Sequence, residues 1–266
     1  MSCPMTRIAL KFGYDGSCFS GYQRQPAKRT VEGDIILALQ QLGAIKDVES
    51  SGFQSASRTD TGVHAVANAM AFTTEFDPLE LISALNAKCE DIYFHSYIEV
   101  PATFNPRRAR MRHYRYLLPE HLDERKLQQT FDLFVGANDF RNFAKSDASG
   151  RYRKIDVITV AKSNGWTVVD FLGKSFLHNM IRRITGAALG VMDGKTTHDE
   201  IREALKGEKT ASLGLARPEF LILMDVDYGM MFHPAATSAK TKKQWTQRLY
   251  RLRALEYLYR EFKLEV

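Results

Sequence analysis

An arginine and an aspartate stand two residues apart in the segment Ser57-Arg58-Thr59-Asp60-Thr61-Gly62-Val63-His64-Ala65. At positions i and i+2 of a strand, the Arg58 and Asp60 side chains point to the same side. A guanidinium beside the carboxylate would stabilise its negative charge, and such a carboxylate can act as a nucleophile or as a base. The same residues also fit a structural turn in which Asp60 precedes Gly62. The segment alone leaves both interpretations open.

Other familiar catalytic patterns are absent or incomplete. The segment 190–196 has one residue too few between its glycines for a phosphate-binding P-loop, and it follows a predicted helix where a P-loop follows a strand. The sequence contains neither HExxH nor GxSxG, and its seven histidines show no metal-ligand spacing. The absence of these motifs argues against nucleotide hydrolysis, other hydrolase chemistry and metalloenzyme chemistry. We therefore expect no metal site.

Positive charge is concentrated in two parts of the chain. The 37 lysines and arginines exceed the 31 acids, which gives a net charge of +6 and an isoelectric point of about 9.1. Residues 100–116 contain five arginines and no acid, and residues 240–266 contain eight lysines and arginines against three glutamates. Aromatic residues are interspersed in both clusters, and aromatic faces bind bases where guanidinium groups bind phosphates. The clusters favour RNA or DNA as a partner, while either cluster alone also fits a solvated surface.

The composition is that of a globular chain, with 44% hydrophobic and 26% charged residues among 266. The three cysteines, Cys3, Cys18 and Cys89, have neither the number nor the spacing of a disulfide framework or metal finger, which fits a reducing compartment. No apolar run is long enough to span a membrane, and the first residues lack a secretion signal. We therefore expect a cytoplasmic protein that does not associate with membranes.

Two stretches of the chain have the same predicted order of elements. Hydrophobic alternation and helical spacing indicate the first set: strand 7–14, helix 31–42, strands 53–58 and 68–74, a helix from Asp77-Pro78 to about Lys88, and strand 92–100. This β-α-β-β-α-β order is the ferredoxin-like arrangement.

The second stretch repeats this order with one helix added. Its elements are strand 110–118, helix 124–135, strands 155–161 and 166–172, helix 176–192, a helix opened by the capping box Thr197 to Glu200, and strand 220–228. We expect an α/β (α+β) fold of two ferredoxin-like halves, residues 1–105 with Asp60 and residues 106–232. The halves would form one mostly antiparallel sheet with helices packed on one face and a central RNA cleft.

Residues 233–266 form a third segment. Its polar part, 233–243, predicts a linker. Apolar and aromatic residues then recur every three or four positions, which predicts an amphipathic helix with basic remaining faces. The residues of this stripe are Trp245, Leu249, Leu252, Leu255, Tyr259 and Phe262.

Further segments accompany the Arg58 to Asp60 pair in order along the chain. They are Tyr14-Asp15-Gly16-Ser17-Cys18-Phe19-Ser20-Gly21-Tyr22-Gln23-Arg24-Gln25, Thr30-Val31-Glu32-Gly33, Arg112-His113-Tyr114-Arg115-Tyr116, Phe176-Leu177-His178-Asn179-Met180-Ile181-Arg182-Arg183-Ile184-Thr185-Gly186, and Leu221-Ile222-Leu223-Met224-Asp225-Val226-Asp227-Tyr228. Together these segments resemble the TruA family of tRNA pseudouridine synthases from about residue 6 to 229. The patterns R-T-D-x-G-V-H-A and Y-D-G-x-x-F-x-G-x-Q-x-Q are highly specific.

The resemblance implies roles for individual residues. Asp60 matches the catalytic aspartate, Arg58 the arginine that orients it, and Tyr114 the tyrosine that stacks on the target base. Leu221 matches the aliphatic residue packed against that base, and Arg182 matches an arginine of the cleft. Further residues of these segments and of the first basic cluster are expected to bind substrate: Arg24, Gln25, His64, Arg107, Arg110 and Arg112.

The activity implied by the resemblance is isomerisation of uridine to pseudouridine in the tRNA anticodon stem-loop, at positions 38 to 40, by a homodimer. The reaction involves no net redox change or hydrolysis, so we expect no cofactor. The target base must flip out of its helix into a pocket. Arg108, Arg110, Arg112 and Tyr114 alternate along one predicted strand, which would align phosphate-binding groups with the base platform.

Alternatives stay open for both the target and the chemistry. The enzyme could act on other tRNA or RNA uridines, or the chain could be a catalytically silent RNA-binding module. Asp60 could attack the ribose, deprotonate it or add to the base.

Overall fold

The computed structural model describes residues 5–145, 151–207 and 212–262. Cys3 lies outside these residues. The strands are β1 (Thr6–Tyr14), β2 (Gln54–Ser55), β3 (His64–Thr74), β4 (Ile92–Glu99), β5 (Met111–Pro119), β6 (Gly136–Asp139), β7 (Tyr152–Ile155), β8 (Val157–Ser163), β9 (Trp166–Gly173), β10 (Leu221–Asp227) and β11 (His233–Pro234). The helices are α1 (Val31–Gln41), α2 (Pro78–Lys88), α3 (Glu124–Asp132), α4 (Met180–Met192), α5 (His198–Lys206) and α6 (Ala239–Glu261).

Short polar side chains determine where several helices begin. The Thr30 hydroxyl accepts a hydrogen bond from the amide of Gly33 at the start of α1. Asp77 caps α2, and Pro78 occupies its first position, where no amide donor is needed. The predicted capping box of Thr197 and Glu200 is present at the start of α5.

One large sheet runs through the molecule in the order β11-β4-β1-β3-β10-β5-β9-β8, with β2 paired to β3. Among the described strands, β3 and β10 form the one parallel pair, with Ile222 opposite His64 and Leu223 opposite Ala65. The predicted large, mostly antiparallel sheet is therefore confirmed, while β6 and β7 form a separate two-stranded antiparallel sheet. Because parallel neighbours begin at the same edge of a sheet, the chain before β3 lies beside the start of β10.

A continuous core extends along one face of this sheet. In β1 the alternating residues Ile8, Leu10 and Phe12 are fully buried, and the same cluster includes Tyr116 of β5 and Phe171 of β9. Helix α2 packs against β4, and α3 packs against β8. The large aromatic side chains thus hold the strands on both sides of the β3–β10 pair in one rigid frame.

Some element boundaries differ from the sequence prediction. The strand predicted over 53–58 is limited to β2, because residues 57–60 leave the sheet as a loop. The helix predicted from residue 176 begins at Met180, after a turn in which Asn179 has a φ of 63°. The predicted linker 233–243 contains the edge strand β11 and the first turn of α6.

The C-terminal helix is attached to the body at its first turns only. Thr241 is buried, Trp245 packs edge-on against Tyr93 with ring centres 6.1 Å apart, and Arg248 lies 2.7 Å from a carboxylate oxygen of Asp91. Beyond this point the predicted apolar stripe faces solvent. Its exposed members are Leu249, Leu252, Leu255, Tyr259 and Phe262.

No helix among the described residues is long and apolar enough to cross a membrane. The division of the chain at residues 105 and 232 stays a prediction.

Candidate active site

A cavity of about 1260 Å³ opens where the β3–β10 pair begins. Its walls come from parts of the chain that are distant in sequence: residues of the segment 20–25, the loop 55–63, residues 107–114 around the start of β5, Arg153 of β7, residues 175–182, and residues 218–221 at the start of β10. Asp60, Tyr114, Arg182 and Leu221 all line it. The fold therefore brings together the residues that the sequence prediction placed in one site.

Asp60 is held by one contact on each carboxylate oxygen. Nη1 of Arg182 lies 2.8 Å from Oδ2, and Nε2 of His178 lies 3.0 Å from Oδ1. Its side chain remains 23% exposed, so the carboxylate can be reached from the cavity. Two contacts of this kind restrict how the carboxylate can rotate.

Arg182 links three parts of the structure at the first turn of α4. Besides Asp60, it donates from Nε to the carbonyl of Ala216 at 2.9 Å and from Nη1 to Oδ1 of Asn179 at 3.2 Å. Its side chain is only 13% exposed. Three acceptors on one mostly buried guanidinium fix its orientation, in which Nη1 points at Asp60.

Arg58 does not pair with Asp60. Its side chain is exposed, and no hydrogen bond or ion pair to Asp60 occurs among the described residues, although Arg58 still lines the cavity. The expected same-side geometry required a strand, and residues 57–60 form a loop instead. The guanidinium beside the carboxylate is therefore that of Arg182.

The loop that carries Asp60 is fixed from both sides. Tyr14 and Thr59 are joined through their hydroxyl groups at 2.8 Å, and the amide of Tyr22 donates to the carbonyl of Thr59 at 3.1 Å. After Asp60 the chain turns at Gly62, whose φ of 85° favours glycine. The carboxylate thus projects from a preorganised backbone.

Tyr114 is buried and lines the cavity. It packs edge-to-face on Phe176, with ring centres 5.4 Å apart and an interplanar angle of 82°. Burial raises the pKa of the Tyr114 phenol above its ordinary value. The ring is therefore a neutral, rigid aromatic wall at the pH of a cell.

Arg112 is a buried residue that holds the loop before Asp60 in place. Its side chain donates from Nε to the hydroxyl of Ser57 at 2.9 Å and from Nη2 to the carbonyl of Ala56 at 3.0 Å. Only 8% of the residue is exposed. The prediction that Arg112 aligns with Arg108 and Arg110 on one strand face is wrong, because β5 begins at Met111 and both of those arginines lie exposed before it.

The remaining predicted residues fall into two groups. Those that line the cavity are Gln25, Arg107 and Leu221. Those outside its lining are Arg24, His64 and Arg110. His64 instead joins chain segments, since its Nδ1 accepts a hydrogen bond from the amide of Gly16 at 3.0 Å and its Nε2 lies 3.2 Å from the carbonyl of Glu219.

Several residues that line the cavity carry no sequence-based assignment. They include Arg153, Phe176, His178 and Asn179. His178 stands one helical turn before Arg182 in a segment already singled out, so its spacing was the available signal. Arg153 lies on β7, a short strand that no hydrophobic alternation marks.

The cavity is lined by one acidic side chain and several basic ones. Among the described residues that line it, Asp60 is the only acid, and the arginines are Arg58, Arg107, Arg112, Arg153 and Arg182. This cavity suits a polyanion that presents a flat base to the carboxylate. The arginines can bind the negative charges of such a polyanion, and the aromatic wall can stack on the base.

Comparison with known proteins finds similar sequences over most of the chain. The family model described as tRNA pseudouridine synthase matches residues 131–229. A tRNA pseudouridine synthase A of Thermococcus onnurineus (strain NA1) is 41% identical over 226 residues, covering 84% of this chain and 85% of the relative. One of Pyrococcus abyssi (strain GE5 / Orsay) is 41% identical over 240 residues, covering 89% and 90%. One of Pyrococcus horikoshii (strain ATCC 700860 / DSM 12428 / JCM 9974 / NBRC 100139 / OT-3) is 38% identical over 258 residues, covering 95% and 97%.

Proposed function

The chain belongs to the tRNA pseudouridine synthase family, a family of isomerases, and we propose that it converts uridine to pseudouridine in the tRNA anticodon stem-loop, at positions 38 to 40. In this proposal Asp60 is the catalytic carboxylate. The observation that carries it is the position of Asp60, which is the only acid among the described residues of a basic cavity and has each oxygen oriented by a contact.

The proposed reaction exchanges one bond of the nucleoside for another. The bond between ribose C1′ and uracil N1 breaks, a bond between C1′ and C5 forms, and the proton lost from C5 is balanced by the proton gained at N1. No electron leaves the nucleoside and no water is consumed. A carboxylate at the nucleoside is a sufficient catalytic group, since it can act as nucleophile or base.

The target base reaches Asp60 by leaving its helical stack. Flipping costs a few kcal/mol, which stacking on an aromatic side chain can offset. Tyr114 supplies such a surface, and the buried Leu221 lies at the start of β10 in the same cavity wall. We assign Tyr114 and Leu221 to the binding of the flipped uracil.

Phosphate contacts are proposed for the exposed basic residues around the cavity. Arg107 lines the cavity, Arg108 and Arg110 follow it in sequence and are exposed, and Lys242, Lys243 and Arg251 are exposed on α6. Asp91, which anchors α6, also binds Arg29 at 2.8 Å, next to the segment 20–25 that lines the cavity. This connection favours α6 as an extension of the RNA-binding surface. Arg248 is excluded from it because Asp91 already occupies its guanidinium.

The family resemblance also supports a homodimer that works in the cytoplasm, where tRNA is available, and the division of each chain into halves 1–105 and 106–232. Light scattering coupled to size exclusion tests the dimer directly. A single monomeric species would contradict it.

The function is tested by incubating the purified protein with unmodified RNA, without a cofactor, and mapping new pseudouridines. We expect them at positions 38 to 40 of tRNA with the native protein and none with Asp60→Asn, which keeps the shape of the side chain and should still bind tRNA. Pseudouridine at other positions would favour the alternative target. Binding without any pseudouridine would favour a silent RNA-binding module.

A further inference from the structure

The two contacts on the Asp60 carboxylate come from residues that lie four positions apart in one segment. His178 precedes α4 and approaches Oδ1 at 3.0 Å, while Arg182, four residues later, approaches Oδ2 at 2.8 Å. The two groups therefore hold opposite oxygens of the carboxylate.

The backbone around His178 is fixed by buried neighbours. Leu177 is 8% exposed and Met180 is 1% exposed. The amide of Met180 donates to the carbonyl of Leu177 at 3.0 Å, and the amide of Lys145 donates to the carbonyl of His178 at 3.1 Å. Asn179 then takes the left-handed conformation that starts α4. The His178 side chain thus leaves a constrained turn, which limits the directions it can take.

The two side chains that contact Asp60 differ in their other partners and in their exposure. Arg182 is mostly buried and also binds Ala216 and Asn179, so it has a structural role apart from Asp60. The His178 side chain is 45% exposed at the cavity, and Asp60 is its one polar side-chain partner among the described residues. A half-exposed ring with this single partner adds little to folding, so its contact with Asp60 calls for another explanation.

We propose that His178 is a positioning residue that sets the rotation of the Asp60 carboxylate for the reaction. With Oδ2 held by Arg182 alone, the carboxylate could turn about its terminal bond, which has a broad torsional profile. A second polar contact at Oδ1, with Nε2 of His178 3.0 Å away, restricts that freedom before the base arrives. Small misplacements of a reacting group lower rates strongly, so the contact should affect the chemical step more than binding. This inference rests on the proposed catalytic role of Asp60.

The test compares His178→Ala with His178→Gln, whose side-chain amide keeps a polar group near the same oxygen. Single-turnover rates and tRNA affinities are measured on whichever tRNA uridine the native protein modifies. We expect His178→Ala to slow the single-turnover step by about 10- to 100-fold with affinity within about two-fold, and His178→Gln to recover most of the rate. His121→Ala is the matched control, since His121 is exposed and outside the cavity lining.

Several results would overturn the proposal. They are an unchanged rate in His178→Ala, a His178→Gln variant as slow as His178→Ala, or a loss confined to tRNA affinity. Asp60→Asn is measured in parallel, because retained turnover in that variant would defeat the proposed function itself. A normal His178→Ala beside an inactive Asp60→Asn would defeat only the role of His178.

Discussion

Nη1 of Arg182 lies 2.8 Å from Oδ2 of Asp60, although 122 residues separate them in the sequence. The same guanidinium donates to the carbonyl of Ala216, shortly before β10. The arginine therefore connects α4, the approach to β10 and the loop before β3 at the point where β3 and β10 pair. Orientation of the carboxylate depends on the packing of the second stretch of the chain against the first.

Arg182→Lys should impair both the reaction and the fold. A lysine ammonium lacks the planar set of donors that reaches Ala216, Asn179 and Asp60 together. Hydrogen bonds to charged groups contribute about 1.5–3 kcal/mol each, so we expect a lower free energy of unfolding in urea and a lower single-turnover rate. Arg183→Lys is the control, because Arg183 does not line the cavity. Equal losses in both variants would contradict a specific role for Arg182.

Tyr114→Ala should slow the chemical step more than it weakens tRNA binding. The substitution removes a stacking surface worth about 1–3 kcal/mol per base, and the base meets it only after flipping. Tyr114→Phe keeps the ring and its edge contact with Phe176, so its rate should stay close to native. Single-turnover kinetics and tRNA affinity check both variants. A normal rate in Tyr114→Ala would remove Tyr114 from the site, and a Tyr114→Phe as slow as Tyr114→Ala would assign chemistry to the hydroxyl.

Arg110→Ala and Lys243→Ala should each lower affinity for all tRNAs about equally. If each residue contacts one phosphate, the slope of log affinity against log salt should decrease by roughly one unit. Tyr114→Ala should leave that slope unchanged because it carries no charge. Salt titrations of tRNA affinity provide the measurement. An unchanged slope in the arginine and lysine variants would show that the two clusters are ordinary solvated surface.

The attachment of α6 should weaken in acid. Burial alone would raise the pKa of Asp91, but hydrogen bonds from Arg29 and Arg248 outweigh it and hold that pKa below its ordinary value. A carboxylate with a lowered folded-state pKa stabilises the fold above its unfolded pKa of about 4, and this stabilisation is lost as the pH falls through the folded value. Asp91→Asn should thus be less stable than the native protein at pH 7, with a difference that shrinks below about pH 4.

Urea unfolding of the native protein and Asp91→Asn across that pH range measures the effect. Glu256→Gln is the control, since Glu256 forms an exposed pair with Arg260 within α6. A difference that stayed constant with pH would rule out the Asp91 carboxylate as its source.

Activity should survive chelation and dialysis. The sequence has no metal-ligand spacing, and no cluster of three or more His, Cys, Asp or Glu side chains that could hold a metal occurs among the described residues. The proposed isomerisation also needs no electron acceptor. The assay uses tRNA folded in monovalent salt, because magnesium also acts through tRNA structure. Activity lost to EDTA and restored by zinc would reveal a metal site on the protein.

Much of the architecture was predictable because its signals are local. Alternation in β1 and β5, the Asp77-Pro78 start of α2 and the capping box of α5 depend on neighbouring residues alone. The short strands β6 and β7 were missed, because their few residues carry no apolar period. The predicted strand 53–58 extends past β2 into the loop that carries Asp60, since propensity does not report where a strand leaves its sheet.

The sequence by itself determined the family resemblance, the order of elements and the candidate Asp60, since these depend on residue types and their spacing. Only the tertiary structure decided which groups meet that carboxylate. Sequence spacing paired Asp60 with Arg58, whereas the parallel pairing of β3 with β10 brings Arg182 and His178 to it and turns Arg112 inward. Contacts between residues more than a hundred positions apart follow from strand order and core packing, which no local pattern encodes.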